Sequence, residues 1–264
     1  MTKILFKAKS TVIYLGDSRG MPELKDNSID FIITSPPYWD LKNYKSNKQI
    51  GLGQSYEQYL EEIEKVFKES SRVLKAGRYF ALVIGTRISD GELVHIPADC
   101  ISIFRNYSMR LKKEIIWTKP KGTQGLWQRG TTQFLKSKPY PRNANYNIQH
   151  EFILIFRKEN NSIISEDKFR VNHKLSEEFI KEVAWTNWTI GVSRQKNHPA
   201  AFPVELPTRL IRLYSYPGEV VLDPFMGSGT TALAANNLDR HCIGYEISKE
   251  YCEICKENII NNGK

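Results

Sequence analysis

Four groups of residues have the types and spacing to act together chemically. The first is Thr34-Ser35-Pro36-Pro37-Tyr38-Trp39, which follows the apolar run Asp30-Phe31-Ile32-Ile33. Each proline fixes φ at about −65° and has no N–H, and the residue before a proline is pushed out of the helical region. The result is a stiff loop at a strand end, with a hydroxyl and carbonyl acceptors aimed beyond the sheet. Taken alone, a Pro-Pro-aromatic triplet reads equally well as a rigid turn.

The second group is Asp223-Pro224-Phe225-Met226-Gly227-Ser228-Gly229-Thr230-Thr231, behind the apolar Val220-Val221-Leu222. Gly227 and Gly229 permit a tight turn and close approach of a ligand to the backbone. A helix behind the turn offers N–H groups with no partner of their own. The third is Glu246, 23 residues after Asp223, at the end of the next strand. An acid there can accept from both hydroxyls of a ribose. Two glycines leave the dinucleotide fingerprint incomplete, and no Gly-Lys-Ser/Thr follows, which excludes a P-loop. The unit fits a nicotinamide cofactor or S-adenosylmethionine. The fourth is Asp17, an acid at a strand end that caps the next helix or accepts from a ligand.

The elements that must position these groups follow from periodicity. Residues 10–16, 29–34, 79–84, 110–118, 150–156, 220–223 and 242–245 read as strands. Ser55-Tyr56-Glu57-Gln58 is a capping box. It opens a helix with Leu60, Ile63, Phe67 and Leu74 on one face and Gly77 as its stop. Further helices are expected over 96–104, 205–214, 231–238 and 249–259. Residues 40–54 read as a loop beside the Ser-Pro-Pro-Tyr turn. Residues 119–147 and 157–197 are mostly polar interruptions of an α/β pattern, and such segments usually carry recognition.

The 264 residues are 41% apolar, enough for one large α/β domain. No run reaches membrane-span length and the start lacks a signal-peptide apolar region. Four cysteines make no disulfide framework, so a cytoplasmic, reducing setting is expected. The net charge is +9, and 105–145 alone hold ten Lys/Arg against the single acid Glu114. That stretch therefore carries the whole excess, interleaved with Trp117, Trp127, Phe134 and Tyr140. This pattern is the footprint of a nucleic-acid surface; a generic solvated face is the plainer reading. Cys252-x-x-Cys255 is a lone pair inside a helical pattern, so helix packing is expected there rather than zinc. His95, His150 and His173 have no carboxylate or cysteine cluster around them in sequence.

The motifs taken together resemble a known family. Ser35-Pro36-Pro37-Tyr38, the strand end Trp117-x-Lys119, His198-Pro199-Ala200-x-Phe202-Pro203 and Asp223 through Thr231 look like the amino-methylating DNA methyltransferases. The order, catalytic motif before cofactor motif, is similar to the permuted β group. The resemblance implies a doubly wound, mostly parallel sheet of about seven strands with one antiparallel hairpin, in a single domain over 1–264, and S-adenosylmethionine as methyl donor. It implies that Asp223, Phe225, Gly227, Ser228, Gly229 and Thr230 surround the methionine part. Glu246 would then hold the ribose, Asp17 the purine edge, and Phe202 would help close the pocket. It places target recognition in 119–147 and part of 157–197, with Lys119, Lys121, Arg129, Lys136, Lys138 and Arg142 on duplex DNA. It further implies a cognate restriction endonuclease acting separately.

The chemistry of the first loop agrees with this role. An exocyclic base amine is a poor nucleophile because its lone pair is delocalised into the ring. Hydrogen bonds to Ser35 Oγ and the Pro36 carbonyl would hold the nitrogen nearer sp³ geometry, with little reorganisation because the Pro36-Pro37 loop is stiff. Tyr38 would stack on a base taken out of the duplex; Trp39 adds to that wall or belongs to the core. No cysteine lies near the loop, which argues against carbon-5 cytosine methylation. In the family, Ser at the first motif position mostly accompanies cytosine N4 and Asp adenine N6, so Ser35 favours cytosine N4. An adenine-N6 enzyme, an RNA or protein amide methyltransferase and a nucleic-acid-binding protein with a decayed site remain alternatives.

Overall fold

Every residue of β3 (Ile29–Thr34) is buried. Phe31 and Ile33 join one apolar cluster and Ile32 the other. A period of two with both faces apolar is what a strand between two helical layers requires. The computed structural model describes residues 2–8, 10–41, 43, 46–120, 148–159, 173–192 and 202–262.

Around β3 runs a nine-stranded sheet. From one edge its order is β1 (Lys3–Lys7), β2 (Thr11–Leu15), β11 (His241–Glu246), β10 (Val220–Asp223), β3, β4 (Leu74–Ile84), β8 (His150–Lys158), β7 (Met109–Thr118) and β9 (Asn187–Thr189). Strands β2, β11, β10, β3 and β4 are mutually parallel. Strand β8 runs antiparallel between β4 and β7. The seven strands from β2 to β7 are the doubly wound, mostly parallel sheet expected from the motifs. Strand β1, antiparallel to β2, and β9, parallel to β7, extend its edges. A separate hairpin joins β5 (Arg87–Ser89) and β6 (Glu92–Val94).

Helices α1 (Tyr56–Val73) and α2 (Ile96–Arg105) cover one face, where Phe67, Phe80, Phe104 and Phe156 pack ring on ring. Helices α4 (Glu205–Tyr214), α5 (Thr230–Asn237) and α6 (Lys249–Asn262) cover the other. Helix α1 begins at its capping box, with Ser55 Oγ accepting from the Gln58 N–H and the Gln58 side chain accepting from the Ser55 N–H. It ends at Val73 and not at Gly77. The chain turns extended at Leu74 and enters β4 directly, so Leu74 packs as a strand residue. Gly77, at φ 75°, lies inside that strand, and its carbonyl accepts from Arg157 Nε.

Part of 157–197 is regular and not an irregular insertion. Residues 173–192 contain α3 (Glu177–Val183) and β9. Trp188 on β9 is 1% exposed, and Trp117 Nε1 donates to the Ile190 carbonyl at 2.9 Å. Residues 121–147 and 160–172 lie outside the described residues. Among those described, no helix is long and apolar enough to cross a membrane.

Candidate active site

Strand direction brings the four groups to one edge. The carboxyl ends of β2, β11, β10 and β3 carry Asp17, Glu246, Asp223 and Ser35 in that spatial order. From β3 the chain winds through α1 to β4 on one side. From β10 it winds through α5 to β11 on the other. That divergence is a topological switch point, where open α/β sheets form their ligand crevice. Strand β7 ends, and the reversed β8 begins, at this same edge, which adds Lys119 and Glu151.

Asp223 is 1% exposed and ties the edge together. Its Oδ1 accepts from Thr34 Oγ1 at 2.7 Å and from the Phe225 N–H at 3.0 Å, and its Oδ2 from Thr231 Oγ1 at 2.6 Å. Burial pushes its carboxyl up to about 6, against those three hydrogen bonds. Asp223 thus pins the glycine turn to β3. The turn itself needs its glycines. Gly229 sits at φ 88°, and a Cβ on it would lie 2.4 Å from Cys255 Sγ. Cys252 and Cys255 are buried in the core, with Cys255 packed under this turn. Asn258 Nδ2 donates to the Ser228 carbonyl at 2.9 Å, a second tie from α6. Thr230 Oγ1 is buried at the start of α5 with no hydrogen-bond partner among the described residues.

Glu246 is partly buried. Its Oε2 accepts from the Gly227 N–H at 2.9 Å and its Oε1 from the Ser248 N–H at 2.8 Å. Burial pushes its carboxyl up to about 7, against those backbone N–H groups. The Gly16 N–H donates to the Glu246 carbonyl at 2.9 Å, which sets Asp17 beside it. Burial works to raise the Asp17 carboxyl, but the hydrogen bonds and charge of Arg19 outweigh it and hold it low. The Arg19 guanidinium grips both carboxylate oxygens and reaches on to Glu62. A cavity of about 540 Å³ opens here, lined by Leu15, Gly16, Asp17, Lys48, Ile247 and Lys249 among others. Phe225 and Phe202 are half-buried, packed against opposite faces of the sheet. Residues 198–201, before Phe202, lie outside the described residues.

The proline loop is held from below and from the side. Tyr59, fully buried on α1, donates from its hydroxyl to the Pro37 carbonyl at 2.8 Å. Trp39 takes a positive φ of 50°, donates to the Gln54 carbonyl at 2.8 Å and tilts against Tyr56, with Arg87 over its ring. It is part of the loop's support. Ser35 and Tyr38 remain partly exposed, with Ser35 Oγ 3.3 Å from Tyr38 Oη. Tyr38 Oη donates to Glu151 Oε2 at 2.8 Å, and Lys119 Nζ donates to Glu151 Oε1 at 2.5 Å.

Of the six cations assigned to a DNA surface, Lys121, Arg129, Lys136, Lys138 and Arg142 lie outside the described residues. Lys119 does not sit on an open basic face. Its side chain is 11% exposed, paired with Glu151 and set over the Trp117 ring at 5.0 Å. Sequence reasoning missed Glu151, Tyr59 and Arg19. A single acid opening the apolar run Phe152-Ile153-Leu154-Ile155-Phe156 was the available signal for Glu151, because a buried charge demands a partner.

Comparisons with known proteins agree with this geometry. Residues 29–257 match the N6/N4 DNA methylase family model. The chain is 35% identical to the Type II methyltransferase M.MthZI of Methanothermobacter thermautotrophicus, over 94% of this chain and 76% of that protein. It is 34% identical to the Type II methyltransferase M.MjaI of Methanocaldococcus jannaschii, over 94% and 90%. Among solved structures, TTHA0409 of Thermus thermophilus, in complex with S-adenosyl-L-methionine, superposes with a TM-score of 0.73 at 27% identity. That match covers 94% of this chain and 93% of the other.

Proposed function

This chain belongs to the N6/N4 DNA methylase family, and from that premise we propose that it methylates the exocyclic N4 amine of cytosine at a specific site in duplex DNA. The observation that carries the proposal is the rigid Ser35-Pro36-Pro37-Tyr38 loop at the same sheet edge as the Gly227–Thr230 turn and Glu246. The position of Ser35 in the motif favours cytosine, by the family trend given above. Adenine N6 is the alternative, because a serine acceptor serves either amine.

The residues of this edge fit S-adenosylmethionine. The cavity beside Asp17 and Ile247 suits a purine. Each Glu246 oxygen has a lone pair left for a ribose hydroxyl beyond its backbone N–H. The unpartnered Thr230 hydroxyl and the side-chain-free Gly229 suit a polar amino-acid arm at the start of α5. TTHA0409 binds the same molecule at 27% identity. When bound, the cofactor supplies an electrophilic methyl group on a sulfonium.

The chain's own residues would do the rest. Ser35 Oγ and the Pro36 carbonyl accept from the target amine and hold its lone pair available. The Tyr59 hydroxyl fixes the loop that carries them. Tyr38 offers its ring face to the extruded base. Duplex binding falls to the basic segment 119–147 together with part of 157–197, within a single domain, and the setting is the cytoplasm. The Type II names of M.MthZI and M.MjaI support a restriction partner acting separately.

The test is mass spectrometry of nucleosides from plasmid DNA incubated with the chain and isotopically labelled S-adenosylmethionine. Label in N4-methylcytosine is the expected result. Label in N6-methyladenine would keep the site and overturn the base. Label in neither, with cofactor bound, would overturn DNA as the substrate.

A further inference from the structure

The 3.3 Å separation of Ser35 Oγ and Tyr38 Oη permits a hydrogen bond in either direction. The direction matters for the proposed amine methylation, on which this inference rests. A serine that receives the tyrosine proton turns its own proton outward, toward the donor N–H groups of the target amine. A serine that gives its proton to the tyrosine turns lone pairs outward, as an acceptor.

The neighbouring residues choose between these. Glu151 is 7% exposed and faces the Lys119 ammonium at 2.5 Å, so its carboxylate is an acceptor only. Tyr38 has one hydroxyl proton, and among the described residues the acceptors for it besides Ser35 are Glu151 Oε2 at 2.8 Å and the Val83 carbonyl at 3.5 Å. The short, charge-assisted bond takes the proton. Tyr38 Oη can then only accept from Ser35. We infer that Glu151, oriented by Lys119, is a positioning residue that polarises the chain Ser35→Tyr38→Glu151 and so keeps Ser35 an acceptor toward the target amine. The register supports the arrangement. Trp117 pairs with Glu151 and Thr118 with His150 across β7 and β8, which brings Lys119 to the carboxylate.

Glu151→Gln tests the direction without changing shape. The Lys119 ammonium draws the amide oxygen to itself, which turns the amide NH₂ toward Tyr38. Tyr38 then accepts from the amide and gives its proton to Ser35 at 3.3 Å, nearer than the Val83 carbonyl at 3.5 Å, and the polarity of the chain reverses. Turnover should fall roughly 10- to 100-fold with the affinity for S-adenosylmethionine unchanged. Tyr38→Phe keeps the ring and removes the relay. The decisive readout is the double variant Tyr38→Phe with Glu151→Gln, which should be no slower than the slower single variant, because both act through one chain. Multiplied losses would overturn the inference and make Glu151 merely structural.

Where Glu151→Gln does not fold, Ser35→Ala alone and combined with Tyr38→Phe forms the equivalent cycle, again expected to be non-additive. A Tyr38→Phe protein with unchanged turnover would overturn the inference while leaving the proposed function standing. A wild-type chain that transfers no methyl group to DNA would instead remove the reading on which the inference rests.

Discussion

Glu246 makes cofactor binding sensitive to pH in the neutral range. Its carboxyl titrates at about 7 because burial outweighs the N–H groups of Ser248 and Gly227 that favour the charged form. Ribose hydroxyls are donors to the ionised carboxylate, so binding selects the deprotonated protein. With a value near 7, roughly one molecule in eleven is ionised at pH 6 and ten in eleven at pH 8. The dissociation constant for a ribose-containing ligand should therefore be about tenfold weaker at pH 6 than at pH 8, about 1.4 kcal/mol.

The sign for stability is opposite. The folded value is raised from an ordinary 4.5. The group thus contributes stability that is fully present below that ordinary value and is lost as pH rises through about 7. The loss for the ligand-free protein amounts to about 3 kcal/mol. The assay is titration calorimetry with 5′-methylthioadenosine, which keeps the ribose diol and has no group of its own titrating between pH 6 and 8. Run at pH 7 in two buffers of different ionisation enthalpy, it should show about half a proton released per ligand bound. Glu246→Gln should weaken binding and flatten its pH dependence. Equal affinity at pH 6 and pH 8 in the wild type, with no buffer dependence of the heat, would refute both the assignment of Glu246 to the ribose and its raised titration.

Ser35→Ala should lower turnover roughly 100-fold while calorimetry finds unchanged cofactor affinity, since only the amine loses its acceptor; a parallel loss of affinity would place Ser35 in the cofactor pocket. Gly229→Ala should destabilise the fold by roughly 2–4 kcal/mol, because an alanine at positive φ is strained and its Cβ meets Cys255 Sγ. Adding Cys255→Ala should restore the steric share of the melting temperature and not the backbone share. Lys119→Met should leave the salt dependence of DNA binding unaltered, because that ammonium faces Glu151, whereas neutralising Lys121 and Arg129 together should reduce the slope by about 2. A reduced slope in Lys119→Met would show that its ion pair opens when DNA binds.

The central strands and the glycine turn were legible because their information is local. An unbroken apolar run followed by a proline pair, or by two glycines, announces a strand with a stiff loop or a tight turn, each within a dozen residues. The boundary at Gly77 was misread because a glycine after an amphipathic run ordinarily stops a helix. Here Leu74 already has extended dihedrals, and the glycine serves a strand instead. Strand β9 was invisible because three residues carry no periodicity, and only docking along Ile116 to Thr118 makes them a strand. Lys119 was read as a surface cation because sequence reports charge and not burial. Its partner lies 32 residues away and meets it only through the β7–β8 register.

That register also sets what the residues flanking the basic segment touch. Residues 121–147, which hold five of the ten Lys/Arg of 105–145, lie in the sequence between β7 and β8. The described residues that flank them are tied by two hydrogen bonds: the Lys119 N–H donates to the Gln149 carbonyl at 2.9 Å, and Gln149 Nε2 donates to the Lys119 carbonyl at 2.8 Å. One step beyond this clamp on either strand stand Thr118 and His150, and the Lys119 ammonium reaches the Glu151 carboxylate that receives the Tyr38 proton. The residues that flank the basic segment therefore include the ammonium paired with the carboxylate that meets Tyr38. A substitution at Glu151 therefore acts on Tyr38 directly and one at Lys119 acts through Glu151, at positions that sequence distance alone would assign to recognition.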